Sequence, residues 1–183
     1  MQLHKNQAIL ILISVNLEYN QYSKIRENRS NEIDYFCSLF DVYQDIKDAG
    51  NLGTIIRAAV AFNIDAIILY GNTVEIYNPK VVRSAVGNLW KIPVYSVEDI
   101  GFIKNNFKEY ERVATLPKNE SSVWLDDLKL KKDRVLLMFG SEATGLSEEL
   151  INIATVSVTI KMNTLVESLN LSLSAGIIMY YIK

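Results

Sequence analysis

From Ser38 onward, short runs rich in β-branched and aromatic residues alternate with longer amphipathic stretches, and no other feature of the chain restricts its fold as much. The runs SLFDVY, AIILYG, IPVYSV, RVATL, RVLLMFG and ATVSVTI read as strands. Between them the spacing predicts helices over Leu52–Phe62, Lys80–Gly87, Val97–Asn106, Ser147–Ile151 and Leu169–Ile182. Parallel strands need crossover connections, so this order predicts an α/β fold, a mostly parallel sheet with helices on both faces. Ligands of such sheets sit beyond the carboxyl ends of the strands, and the loops leaving those ends are the places to look for chemistry.

A chain of 183 residues with 49% hydrophobic content has enough apolar side chains for one well-filled core. Its 19 basic and 21 acidic residues leave a net charge of −2, so nucleic-acid binding would have to rely on a local basic face. The single cysteine, Cys37, has no partner for an internal disulfide, and no paired Cys/His spacing suggests zinc; a reducing cytoplasm fits this usage. The apolar run Ala8 to Val15 is shorter than the roughly 20 residues that cross a bilayer. Asn16, Leu17 and Glu18 stand where a signal peptide would carry small residues, so the run reads as a strand and no membrane association is expected. Lys24, Arg26 and Arg29 belong to a polar surface segment that follows it.

Three loops carry candidate chemistry. In DAGNLGTIIRAAVAF, Asp48 to Phe62, glycines 50 and 53 permit a close backbone approach or a positive φ, and the helix behind them offers free N–H groups to an anion. Ile55, Ile56, Ala59 and Val60 form its buried stripe, which leaves Arg57 on another face to fork a phosphate or carboxylate. The same pattern also reads as a capped helix with a surface arginine. In LLMFGSEATGLSEEL, Leu136 to Leu150, an apolar strand breaks at Gly140 and delivers Glu142 and several backbone amides to the sheet edge, with Ser147 as the next helix cap. In VTIKMNTLVESLNLSLSAGIIMYYI, a loop after Ile160 leads to a helix with Glu167, Ser168 and Asn170 in its first turn, and Leu169, Leu173, Ile177 and Ile178 pointing inward.

In this order the segments DAGNLGTIIR, FGSEATGL and IKM followed by SLNLS resemble the three motifs of the SpoU/TrmH group of RNA ribose 2′-O-methyltransferases, within the SPOUT class. Ala49 and Lys161 stand where that family usually has proline. The resemblance spans about residues 42–182 and implies a C-terminal trefoil knot, S-adenosyl-L-methionine as cofactor, rRNA or tRNA as substrate, and a homodimer. It divides the chain into an N-terminal extension or linker remnant, 1–40, and a catalytic domain, 41–183, either a shortened member or the catalytic portion of one.

Carried over position by position, the resemblance implies that Asn51, Arg57, Glu142, Ser168 and Asn170 are catalytic. It implies that Thr115, Leu116, Gly140, Ile160, Met162 and Leu169 hold the cofactor, largely through backbone groups, and that no metal takes part. Arginine rarely gives up its proton, so Arg57 is expected to position phosphate and stabilise the alkoxide, with the general base left open. Lys80, Arg83, Lys91 and Lys161 are candidates for the RNA face, and Trp90, Tyr180 and Tyr181 for a subunit interface or the core. The competing expectations are a catalytically weak RNA-binding protein that retains the fold and a nucleotide-binding α/β protein unrelated to methylation.

Overall fold

The computed structural model describes residues 39–183, and the expected strand at Ala8 to Val15 lies outside them. Among these residues seven strands are formed: β1 (Leu39–Gln44), β2 (Ala66–Tyr70), β3 (Val94–Val97), β4 (Glu111–Thr115), β5 (Val123–Trp124), β6 (Val135–Phe139) and β7 (Val156–Thr159). Every pairing is parallel, in the order β3-β2-β1-β6-β4-β7-β5. The five helices of the described residues are α1 (Ala49–Ala61), α2 (Pro79–Ala85), α3 (Ile100–Asn106), α4 (Glu148–Ile153) and α5 (Leu171–Ile182).

Alternation along the strands sorts the core into two layers. Leu39 and Tyr43 of β1 and Val135, Leu137 and Phe139 of β6 face α1, α2 and α5 through Leu52, Ile55, Ile56, Val81, Ala175 and Ile178. Val42, Leu136 and Met138 face the other way, toward Ile103 of α3 and Leu150 of α4. Strand β6, VLLMF, is buried along its whole length, which is why it carries no polar alternation and sits in the middle of the sheet. No helix among the described residues is long and apolar enough to cross a membrane.

Several boundaries differ from expectation for local reasons. Helix α1 begins at Ala49 rather than Leu52 because Asp48 caps it, its Oδ1 accepting the Asn51 amide at 2.8 Å. Gly50 and Gly53 therefore lie inside the helix, and neither has a positive φ. Gly53 serves packing: a Cβ there would stand 2.4 Å from Ser84 Cβ and 2.8 Å from the Val81 carbonyl, so its absence lets α2 lie against α1.

Helix α3 begins at Ile100, capped by Asp99, and Val97 belongs to β3. Helix α5 begins at Leu171, so Glu167 and Ser168 lie in the preceding loop and not in a helical turn. Its buried face is Leu171, Ala175, Ile178 and Met179, whereas Leu173, expected inside, is 53% exposed. The two-residue strand β5 and the 3-10 turns Asn88–Lys91 and Leu125–Asp127 are too short to leave a periodic signal.

Candidate active site

The chain leaves β1, β6 and β7 at one edge of the sheet, and the first, second and third motifs occupy the three loops that follow. Asn51, 9% exposed in the first turn of α1, donates from Nδ2 to Glu142 Oε1 at 2.5 Å. Its Oδ1 accepts from Asn170 Nδ2 at 3.0 Å, and the same Asn170 nitrogen lies 3.3 Å from Glu142 Oε1. The other end of Asn170 caps α5, with Oδ1 accepting from Ser172 N at 2.9 Å, Leu173 N at 3.3 Å and Ser172 Oγ at 2.6 Å. Each asparagine thus uses both ends of its amide, and Glu142 Oε1 receives two N–H groups. Glu142 Oε2 takes no hydrogen bond among the described residues and stays open to an incoming hydroxyl or cation.

The loop that carries Glu142 is shaped by its glycines. A Cβ on Gly140 would stand 2.0 Å from the Gly145 carbonyl carbon and 2.1 Å from Leu146 N, so only glycine lets the chain fold back this tightly. Ser141 and Gly145 then exchange backbone hydrogen bonds at 3.2 and 3.0 Å, and Gly145 takes φ +67°. Gln44 Oε1 accepts from Ser147 N at 2.8 Å and fastens the loop's far end to the end of β1. Gln44 carried no recognisable signal as an isolated residue.

At the start of α1, Asp48 also accepts from Lys80 Nζ through Oδ2, at 2.9 Å. The hydrogen bond from Lys80, followed by that from the Asn51 amide, holds the Asp48 carboxyl below the usual carboxylate range. Lys80, expected on the RNA face, is therefore engaged in tying α2 to the capped end of α1.

The structure does not bring every expected residue to this junction. Arg57 is exposed, has no hydrogen-bond or ion-pair partner among the described residues, and follows Asn51 by six positions. Six helical residues amount to about 9 Å of rise and about 120° of net rotation, so the guanidinium sits on a different side of α1 from Asn51. Ser168 is exposed in the loop between β7 and α5, without a hydrogen bond among the described residues.

Thr115 and Leu116, Gly140, and Ile160 stand at the carboxyl ends of the neighbouring strands β4, β6 and β7. There Thr115 Oγ1 donates to the Met138 carbonyl at 3.0 Å, and Leu116 N donates to the Val158 carbonyl at 2.9 Å. Met162 and Leu169 belong to the loop after β7, where Met162 is 37%, Val166 48% and Leu165 90% exposed. This loop, otherwise rich in polar residues, thus exposes three apolar side chains beyond the carboxyl end of β7. A groove of about 720 Å³ bounded by Leu39, Phe62, Lys131, Lys132, Val135 and Lys183 lies at the opposite edge of the sheet and contains none of these residues.

Fold and junction define an α/β protein whose candidate ligand site lies at the carboxyl edge of a parallel sheet. Residues 39–180 match the SpoU rRNA Methylase family, and the chain belongs to that family. It is 31% identical over 141 residues to a tRNA/rRNA methyltransferase of Synechocystis sp., itself uncharacterized, covering 76% of this chain and 50% of that protein. It is also 31% identical over 139 residues to a 23S rRNA (adenosine(1067)-2'-O)-methyltransferase of Streptomyces laurentii, covering 74% of this chain and 50% of that protein. The chain spans about half the length of these relatives. The crystal structure of an AdoMet-bound rRNA methyltransferase from Sinorhizobium meliloti is similar with a TM-score of 0.74 at 31% sequence identity, over 79% of this chain and 55% of that one.

Proposed function

We propose that the chain is an S-adenosyl-L-methionine-dependent methyltransferase acting on a ribose 2′-hydroxyl of rRNA or tRNA in the cytoplasm. In this reading residues 41–183 are its catalytic domain and carry the knot that the family resemblance implies. The observation that supports this most strongly is the hydrogen-bonded junction of Asn51, Glu142 and Asn170, which joins three motifs at one sheet edge.

The bound cofactor supplies a methyl group made electrophilic by a positively charged sulfur. The strand ends at Thr115, Leu116, Gly140 and Ile160, with Met162 and Leu169 of the loop after β7, would hold it through backbone groups and apolar contact. Asn51 and Asn170 act as positioning residues, fixing Glu142 so that Oε2 can accept from the ribose hydroxyl and align its oxygen with the methyl. Ser168, uncommitted within the chain, adds a second donor and acceptor for the ribose. Arg57 stays protonated, binds the neighbouring phosphate and stabilises the developing alkoxide.

Because Arg57 and the junction diverge on α1, one chain does not assemble the whole site. A homodimer in which one subunit's Arg57 meets the other's junction resolves this, and α5 offers a suitable face. Leu173, Tyr180 and Tyr181 are exposed on it, and no charged residue occurs from Leu171 to Ile182.

The test is transfer of labelled methyl from the cofactor to bulk RNA, together with calorimetric titration. Transfer should be lost with Arg57→Ala while cofactor affinity persists, and S-adenosylmethionine and S-adenosylhomocysteine should bind in preference to ATP. Preference for ATP, or full transfer by Arg57→Ala, would refute the reading.

A further inference from the structure

Two aromatic rings stand out on the surface beside the candidate site. Tyr77 is 68% and Trp90 64% exposed, and their rings stack at 5.8 Å between centroids with 20° between planes. Their exposure shows that they do not serve the core, and together they present paired aromatic surface to solvent. Tyr77 lies in the loop leaving the carboxyl end of β2, on the same sheet edge as the junction. That loop is anchored to the start of α1 by the Lys80–Asp48 pair and by Lys47 Nζ donating to the Asn72 carbonyl at 2.5 Å.

Two cations lie on the segment that carries the rings. Lys91 adjoins Trp90 in the 3-10 turn, and Arg83 lies one turn into α2; both are exposed and unpaired among the described residues. The 3-10 turn Asn88–Lys91 packs on α1. From Glu75 to Lys91 the sequence has three basic residues, Lys80, Arg83 and Lys91, and Glu75 as its only acid.

We propose that Tyr77 and Trp90 form a stacking platform for an unpaired RNA base next to the nucleotide to be methylated, with Arg83 and Lys91 meeting the flanking phosphates. Stacking on exposed rings inside a cationic frame is how single-stranded RNA is held when base edges are not read. The proposal rests on the reading of the chain as an RNA-modifying enzyme.

The chain has two tryptophans, so Trp124→Phe leaves Trp90 as its only indole reporter. Titrating this full-length variant with a short single-stranded oligoribonucleotide of mixed sequence should quench its fluorescence. In the natural chain, Tyr77→Ala and Trp90→Ala should each weaken RNA binding by roughly 5- to 100-fold, and Trp90→Phe should retain most of it. Arg83→Gln and Lys91→Gln should each lower the salt slope of binding by about 1. Cofactor affinity and sedimentation should be unchanged by Trp90→Ala.

Absence of quenching, unchanged RNA affinity in Trp90→Ala, or dissociation of subunits by that variant would overturn the platform. Quenching in a chain that binds no S-adenosylmethionine would leave the platform standing and overturn the methyltransferase reading. Methyl transfer without quenching would do the reverse.

Discussion

Asn170 and Asn51, 119 positions apart, share a hydrogen bond of 3.0 Å that ties the start of α5 to the start of α1. The bond does structural as well as positional work, because Asn170 caps α5 with the opposite end of its amide. Asn170→Ala removes the cap, worth roughly 0.5–2 kcal/mol, and leaves Asn51 short of a partner. Urea denaturation of both single alanine variants and the double should give a coupling energy of about 0.5–3 kcal/mol. Strict additivity would mean that the two side chains stabilise the fold independently.

Gly53 and Gly176 predict opposite outcomes for the same substitution. Alanine favours a helix interior over glycine by roughly 0.5–1 kcal/mol, and an added Cβ at Gly176 meets nothing within 4 Å, so Gly176→Ala should stabilise by about that amount. At Gly53 the added carbon stands 2.4 Å from Ser84 Cβ and 2.8 Å from a backbone carbonyl. Pushing α2 off α1 should outweigh the propensity gain and destabilise by about 1–3 kcal/mol. Thermal melts of the two variants moving in the same direction would contradict this account.

The fold was legible where burial imposes a period, and the site only in part. VLLMF announces a central strand because every position is buried, and the amphipathic run after Asp48 announces α1. Val123–Trp124 has too few residues to carry a period. The phase of α5 is not marked in the sequence because apolar residues occur all round it, with Leu173 and Tyr180 outside and Leu171, Ile178 and Met179 inside. The meeting of Asn51 with Glu142 spans 91 positions, and no local pattern encodes it. It followed from the resemblance of three motifs to a known family. Lys80 looked like a free surface charge because its partner, Asp48, is 32 positions away.

That pair yields a modest prediction. Lys80 and Asp48 are 56% and 47% exposed, so their attraction is screened by water and salt, and Lys80→Ala should cost less than about 1 kcal/mol. Asp48→Ala also removes the α1 cap and should cost about 1 kcal/mol more. The Asp48 carboxyl is held below its ordinary range, so its contribution is present at neutral pH and is lost as the solution is acidified through that lowered pKa. Denaturation midpoints at low and high salt would separate the two parts, since only the ion pair should respond. Equal losses in the two variants would show that the cap contributes nothing.

Asp41 predicts a pH dependence of opposite sign. It lies in the middle of β1, wholly buried, with Oδ2 accepting from Tyr43 Oη at 2.9 Å and Oδ1 without a partner among the described residues. Burial raises its pKa from 3.8 to about 7, with the Tyr43 hydrogen bond opposing the rise, while the Tyr43 phenol is pushed well above its usual range by burial and by the neighbouring carboxyl. Between those two values the folded chain keeps a proton that the unfolded chain has released. Stability from this group is therefore complete below the unfolded pKa and is lost as pH rises through about 7, in total on the order of 4 kcal/mol. Asp41→Asn is neutral and similar in shape, so relative to the natural chain it should stabilise progressively across that interval. Urea midpoints of both proteins at about pH 5 and about pH 8 provide the comparison. Parallel behaviour of the two would mean that Asp41 is ionised in the folded core at both values and that its burial carries no such penalty.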